Sequence, residues 1–169
     1  MEVRLETAAL SDKPALHALL QRYIAEFTAF EPVEPDENGV YPYYYFDAYW
    51  QDRDRHPYFI TVDGARAGFV LINRTHYVRL MRPSRSIAEF YVMPEYRRMG
   101  VGTAAARLLT ESLGGWWQLM MHPKNYPSHT FWRRTFDYPG AVCLKIRRGP
   151  KWYGGGLRGE VMTFKAIRE

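Results

Sequence analysis

Apolar positions along the chain keep two rhythms, every second residue and every third or fourth, and the changes between them mark out the elements. Val3 to Thr7 alternates apolar and polar residues, as a short strand does. Ser11-Asp-Lys-Pro14 offers a capping side chain and a first-turn proline, and Leu16, Leu19, Leu20, Tyr23, Ile24 and Phe27 follow at helical spacing. Pro32 ends that helix. Glu31 to Tyr45 breaks the pattern, mixing Glu31, Glu34, Asp36 and Glu37 with Pro32, Pro35, Gly39 and Pro42 before Tyr41, Tyr43, Tyr44 and Tyr45. A second helix is expected next, pinned by Phe46, Tyr49 and Trp50. His56–Val62 and Ala67–Ile72 read as strands joined by the hairpin signal Asp63-Gly64. A polar, basic connection holding Arg74, Arg79, Arg82 and Arg85 leads to a central strand, Ser86–Val92.

Helical spacing resumes at Gly100, runs through Ala105, Leu108, Leu109 and Leu113, and closes at Gly114-Gly115. Trp116–Met121 is the following strand. Strand, helix and strand at this spacing predict a parallel, right-handed crossover. Another helix begins within Pro123–Ser128 and stops by Pro139-Gly140. Val142–Ile146 and Val161–Phe164 are expected to close the sheet, linked loosely through Gly149-Pro150 and Gly154-Gly-Gly156. The predicted order is β-α-α-β-β-β-α-β-α-β-β, an α/β (α+β) fold with a mixed, mostly antiparallel sheet, one parallel crossover and helices on both faces. At 169 residues, one domain spanning 1–169 with a sizeable core is expected.

Composition narrows the class. No apolar run reaches the length of about eighteen residues that a membrane span needs, and Met1-Glu-Val-Arg-Leu-Glu-Thr lacks a signal pattern. Cys143 is the single cysteine, which excludes internal disulfides and Cys-based metal clusters. His56, His76 and His122 lack metal-ligand spacing, so no metal is expected. A cytoplasmic protein with no membrane partner is the expectation. The net charge of +5 is unevenly spread: residues 1–56 hold five Lys/Arg against eleven Asp/Glu, and residues 57–169 hold eighteen against seven. Such a split suits a polyanionic cofactor on the basic part and a cationic acceptor near the acidic part. Nucleic-acid binding is not expected, because no recognised motif accompanies the charge.

The stretch that organises the rest is Ile87-Ala-Glu-Phe-Tyr-Val-Met-Pro-Glu-Tyr-Arg-Arg-Met-Gly-Val-Gly-Thr103. It reads as strand, short basic loop, then a helix N-terminus stripped of side chains at Gly100 and Gly102. Unpaired helix-start N–H groups and the helix dipole make a diphosphate cradle there. Gly100-x-Gly102-x-x-Ala105 imitates a dinucleotide fingerprint, but the expected acidic residue about twenty positions later is missing. No Gly-Lys-Ser/Thr follows, so a P-loop is excluded.

Arg97-x-x-Gly100-x-Gly102, preceded by Glu89-Phe-Tyr-Val-x-Pro94, resembles the acyl-CoA-binding signature of the GNAT family of N-acetyltransferases. The similarity spans nearly the whole chain and implies the element order given above. It implies acetyl-CoA as cofactor, held by Arg97, Arg98, Met99, Gly100, Val101, Gly102 and Thr103. It implies that a backbone N–H among Tyr91, Val92 and Met93 polarises the thioester carbonyl. Glu89, a carboxylate in an otherwise apolar strand, matches a position that in relatives binds or deprotonates the acceptor amine. Asn125 matches an Asn that contacts the pantetheine arm or orders the next helix, with Ser128 as the small residue following it. Seven residues after that Asn, many relatives carry a Tyr that protonates the departing thiolate. Here Trp132 stands instead, and its indole is no acid. It is expected to line the cofactor channel or the core. Tyr126, His129 and Tyr138 are nearby in sequence, with His129 expected on the helix surface.

The function this implies is acetyl transfer to a primary amine, a small cationic metabolite, with Tyr43, Tyr44 and Glu89 meeting the acceptor. The departure at Trp132 leaves a non-catalytic CoA-binding module as the alternative. A homodimer is a further expectation from the resemblance.

Overall fold

Alternating side chains build the first half of the sheet. β1 (Val3–Thr7), β2 (His56–Val62), β3 (Ala65–Asn73) and β4 (Ser84–Val92) pair in turn, all antiparallel. The structure is a computed structural model and describes residues 1–168. Asp63 and Gly64 both take positive φ, 50° and 81°, the geometry a two-residue hairpin between twisted strands requires.

The second half adds α2 (Val101–Leu113), β5 (Gly115–Met121), α3 (Tyr126–Thr135), β6 (Ala141–Arg148) and β7 (Glu160–Ala166). The sheet has seven strands in the order β1-β2-β3-β4-β5-β7-β6, and only β4 and β5 run parallel. This is the mixed sheet with one crossover that the periodicities predict. α1 (Lys13–Phe27) covers one face, where Leu16, Leu19, Leu20 and Ile24 pack on Phe59, Phe69, Leu71 and Tyr91. α2 and α3 cover the other, packing Ala106, Leu109, Trp132 and Phe136 against Ile87, Trp117, Leu119 and Phe164.

One predicted element is corrected. The second helix is a single 3-10 turn, Asp47–Trp50. Initiating a helix is costly, and so short a segment gains more from tertiary anchoring. Phe46 and Tyr49 are buried, and Trp50 Nε1–H donates to the Ala8 carbonyl at 3.0 Å. Strand ends also extend beyond the expected limits, β6 reaching Arg148.

Candidate active site

The parallel pair sets the geometry of the site. β4 and β5 share only four residue pairs, from Ser84↔Trp116 to Ile87↔Leu119. β3 pairs Ile72 with Ile87 but Leu71 with Glu89, so Ala88 is a bulge residue that bends β4. Past it, β4 continues against β3 alone and β5 against β7 alone. The sheet opens there into a wedge. Met93 N–H donates to the Ala67 carbonyl at 2.8 Å, so Met93 faces β3. Strand backbone groups alternate between edges, which places Phe90 and Val92 toward the wedge and Tyr91 toward β3. Of Tyr91, Val92 and Met93, Val92 therefore presents its N–H to the opening. Phe90, not anticipated from sequence, does the same.

The loop after β4 lies at the mouth of this wedge. Arg98 and Gly100 take φ of 64° and 82°, which curls the chain into an amide concavity. Among the described residues, no N–H from Arg98, Met99, Gly100, Val101, Gly102 or Thr103 donates to a protein acceptor. A Cβ on Gly102 would sit 3.1 Å from the Phe131 ring, so glycine is what lets α3 approach α2 here. Thr103 Oγ1 lies 3.3 Å from Thr135 Oγ1, a further tie between those helices. Arg97 is already engaged: its Nε–H donates to the Val92 carbonyl at 2.7 Å and Nη2 to Glu26 at 2.8 Å. Tyr91 O–H donates to the other Glu26 oxygen, also at 2.8 Å. Arg97 thus braces the loop against α1, while Arg98 and Met99 are exposed at the mouth.

Asn125 caps α3, its side-chain oxygen accepting from Ser128 N–H at 3.1 Å. Trp132 is 6% exposed, stacked on Phe136 and edge-on to Phe90. It is a core residue one layer beneath the wedge. His129 is not a free surface residue: Nε2 lies 2.9 Å from the His122 carbonyl and Nδ1 3.1 Å from Glu160. Tyr138 O–H donates to Glu111 at 2.6 Å, and Tyr126 is exposed. None of the three replaces the acid absent at Trp132.

Glu89 leaves the opposite face of β4, at the bend. Burial raises its carboxyl to about 7, opposed by the Tyr23 and Tyr43 hydroxyls, which favour the charged form. Tyr43 O–H donates to Oε1 at 3.1 Å. Tyr44, next to it, is 91% exposed and does not join this group. Burial, then the charge of Glu89, raises the phenols of Tyr23, Tyr43, Tyr49, Tyr77 and Tyr153. Tyr43 touches the carboxylate, and the other four phenols lie within range of its charge. Tyr49 is pushed up to about 12. Its enclosed hydroxyl lies beside Tyr43 and Asn73 without meeting hydrogen-bond geometry to either.

Long-range ties hold these walls. Gln118 on β5 accepts from the Tyr77 and Val78 N–H groups, both at 3.1 Å, and donates to Ser84 Oγ at 2.9 Å. The β6–β7 connection brings Tyr153 against His122, ring centroids 4.3 Å apart, and Trp152 against Tyr77 at 5.4 Å. Glu31 anchors that connection, accepting from Gly154 N–H at 2.7 Å and lying 3.1 Å from His122 Nε2. Lys124 N–H donates to His122 Nδ1, which leaves the ring proton on Nε2, directed at Glu31. Asp36 accepts from Asn38 and Val40 N–H and closes its own turn. Glu31 and Asp36, two of the acids in the segment before Tyr41, thus hold loops of the fold together.

The acetyltransferase (GNAT) family model matches residues 16–138. No curated relative matches the chain. Among solved structures, it is similar to nourseothricin acetyltransferase at 19% identity, covering 98% of this chain and 99% of that one, TM-score 0.59. It is also similar to an aminoglycoside acetyltransferase in complex with coenzyme A, at 15% identity, 96% and 94% coverage and TM-score 0.65. A third likeness is to the ribosomal-protein alanine N-acetyltransferase from Escherichia coli, at 16% identity, 99% and 96% coverage and TM-score 0.61. The chain belongs to the GNAT acetyltransferase family and is an acetyl-CoA-dependent N-acetyltransferase. The row of unpaired amides and the wedge fit the pyrophosphate and thioester arm of acetyl-CoA. Among the described residues no helix is long and apolar enough to cross a membrane.

Proposed function

We propose that the acceptor is a small-molecule primary amine and that the acetyl group passes to it directly, with both substrates bound. The observation that carries this reading is Glu89. Its carboxyl stands at the bend of β4, raised to about 7 and held by Tyr43, so it is part ionised at neutral pH and near the ideal for proton transfer.

Bound acetyl-CoA supplies an acetyl thioester. Glu89 takes the proton that frees the acceptor nitrogen's lone pair. Phe90 and Val92 aim backbone N–H groups into the wedge, where a carbonyl oxygen gathers charge as nitrogen bonds to carbon. The amides of Met99 to Thr103 would hold the diphosphate and so set the reach of the thioester. The carbon–sulfur bond breaks and sulfur leaves as a thiolate. Trp132 has no proton to give it, so water relays to the thiolate the second proton that the acylated nitrogen sheds.

Thiol release followed at several concentrations of each substrate tests this. Intersecting initial-rate lines, dependent on an added amine, are expected. Parallel lines would show a covalent acetyl-enzyme and refute direct transfer. Tight coenzyme A binding with no amine-dependent release would leave the non-catalytic reading.

A further inference from the structure

The arginines around the start of β4 stand outside the acetyl-transfer site, at the opposite end of that strand from the cradle. β4 runs from Ser84 to Val92, so its two ends lie about 25 Å apart. That exceeds the screening length of about 8–10 Å. At the amino end, a polar cavity of about 150 Å³ is lined by Arg74, Pro83, Ser84 and Arg85. Such a volume equals about five waters, room for one tetrahedral oxyanion and some of its hydration. Both guanidinium groups are held in place. Arg85 Nη1–H donates to the Gly114 carbonyl at 3.3 Å, and its guanidinium lies 5.8 Å from the Trp117 ring. Arg74 meets Asp54 through Nε at 3.2 Å. Among the described residues no carboxylate pairs with Arg85, so the two guanidinium groups share one counter-charge. Ser84 is buried, its hydroxyl accepting from Gln118 Nε2 at 2.9 Å and lying 3.3 Å from His76 Nδ1, which fixes the floor. The Arg168 side chain also passes close to Gly114 and brings a third basic residue to this end.

We infer that this cavity binds a phosphate-type oxyanion, at a site separate from that of acetyl-CoA. Two like charges lining so small a cavity repel, and an anion between them replaces the repulsion with two attractions. A guanidinium presents its N–H groups as a rigid fork that matches phosphate oxygens, and charge-assisted hydrogen bonds of this kind are the strong ones. Asp54, Gly114 and Trp117 already order the two arginines, so little freedom is lost when the anion arrives. Asp54 offsets one positive charge and leaves the other for the ligand. An anion drawn to Arg85 would also be felt on β5. The Gly114 carbonyl that accepts from Arg85 accepts from Trp117 Nε1–H as well, at 3.1 Å. The indole N–H of a buried tryptophan is therefore a built-in reporter of the site.

The test titrates sodium phosphate into the full chain at constant ionic strength and follows the assigned Trp117 indole N–H resonance. Saturating coenzyme A keeps the cradle at α2 filled throughout. A saturable shift is expected, with one phosphate bound per chain in equilibrium dialysis. Arg74→Gln, at an exposed position, should raise the half-saturating phosphate concentration about tenfold or more. Arg82→Gln removes the same charge from the same connection at a residue that does not line the cavity, and should leave that concentration within about twofold. Methyl phosphate separates the two sources of such an anion. Binding as tight as that of inorganic phosphate, or tighter, names a phosphomonoester, weaker binding names the free anion, and either supports the site. A shift that is absent or never saturates overturns the inference. Equal weakening in Arg74→Gln and Arg82→Gln also overturns it, because diffuse attraction would then account for the binding.

Discussion

Replacing Glu89 with Gln should slow the enzyme and stabilise it at once. Gln keeps the shape and the acceptor oxygen facing Tyr43, and removes only the titrating charge. As general base Glu89 contributes a factor of about 10² to 10⁴, so kcat should fall by that much. The wild-type rate should rise through an ionisation near 7, and the variant should lack that limb. The same burial predicts the stability change. The carboxyl titrates at 4.5 in its ordinary state and at about 7 in the folded protein, so the native state binds the proton more tightly than the unfolded chain. Its contribution is full below pH 4.5 and is lost as pH rises to about 7. Above that, the buried charge costs about 3 kcal/mol, an upper figure given the partial exposure of the site. Glu89→Gln should therefore raise Tm at pH 8 by up to about 6–12 °C, and the gain should vanish near pH 4. Thiol release across pH and thermal melts at pH 4 and pH 8 measure both halves. A variant with wild-type kcat, or one less stable at pH 8, would refute the reasoning.

Three other substitutions probe the frame of the site. A Cβ on Gly68 would run into the Tyr91 carbonyl, so Gly68→Ala should lower stability by about 1–3 kcal/mol in urea unfolding. Gly102→Val would force Phe131 aside at the mouth of the wedge, and should weaken acetyl-CoA binding about tenfold or more in a direct titration, with a smaller change in the acceptor KM. Trp132→Phe should cost about 1–2 kcal/mol of core packing and leave kcat within about threefold, because this indole is packed and not acidic.

Local chemistry was legible in the sequence and convergence was not. Gly100 and Gly102 follow a strand and open a helix within one short stretch, so the cradle could be read directly. Glu89 stood out as a charge among apolar strand residues. The parallel crossover followed from strand and helix spacing alone. The phenols that feel the charge of Glu89 were hidden because they come from distant segments: Tyr23 from α1, Tyr77 from the β3–β4 connection and Tyr153 from the β6–β7 connection. Tyr23 carried only the signal of a helix face. The engagement of the acidic stretch was hidden for the same reason. The partners of Glu31 lie 91 and 123 residues away, and no local pattern shows that its carboxylate is engaged. Likewise nothing local to Arg97 shows that Glu26, 71 residues earlier, lies beside it.

The four rungs joining β4 to β5 make the sheet two leaves on a narrow spine. Everything that fastens the spine also governs how far the leaves part. Gln118 sits on that spine opposite Ser86 and grips the turn carrying Tyr77, so one amide side chain fastens the spine to the segment beside it. A change at this one rivet would therefore be felt on both the spine and the turn at once.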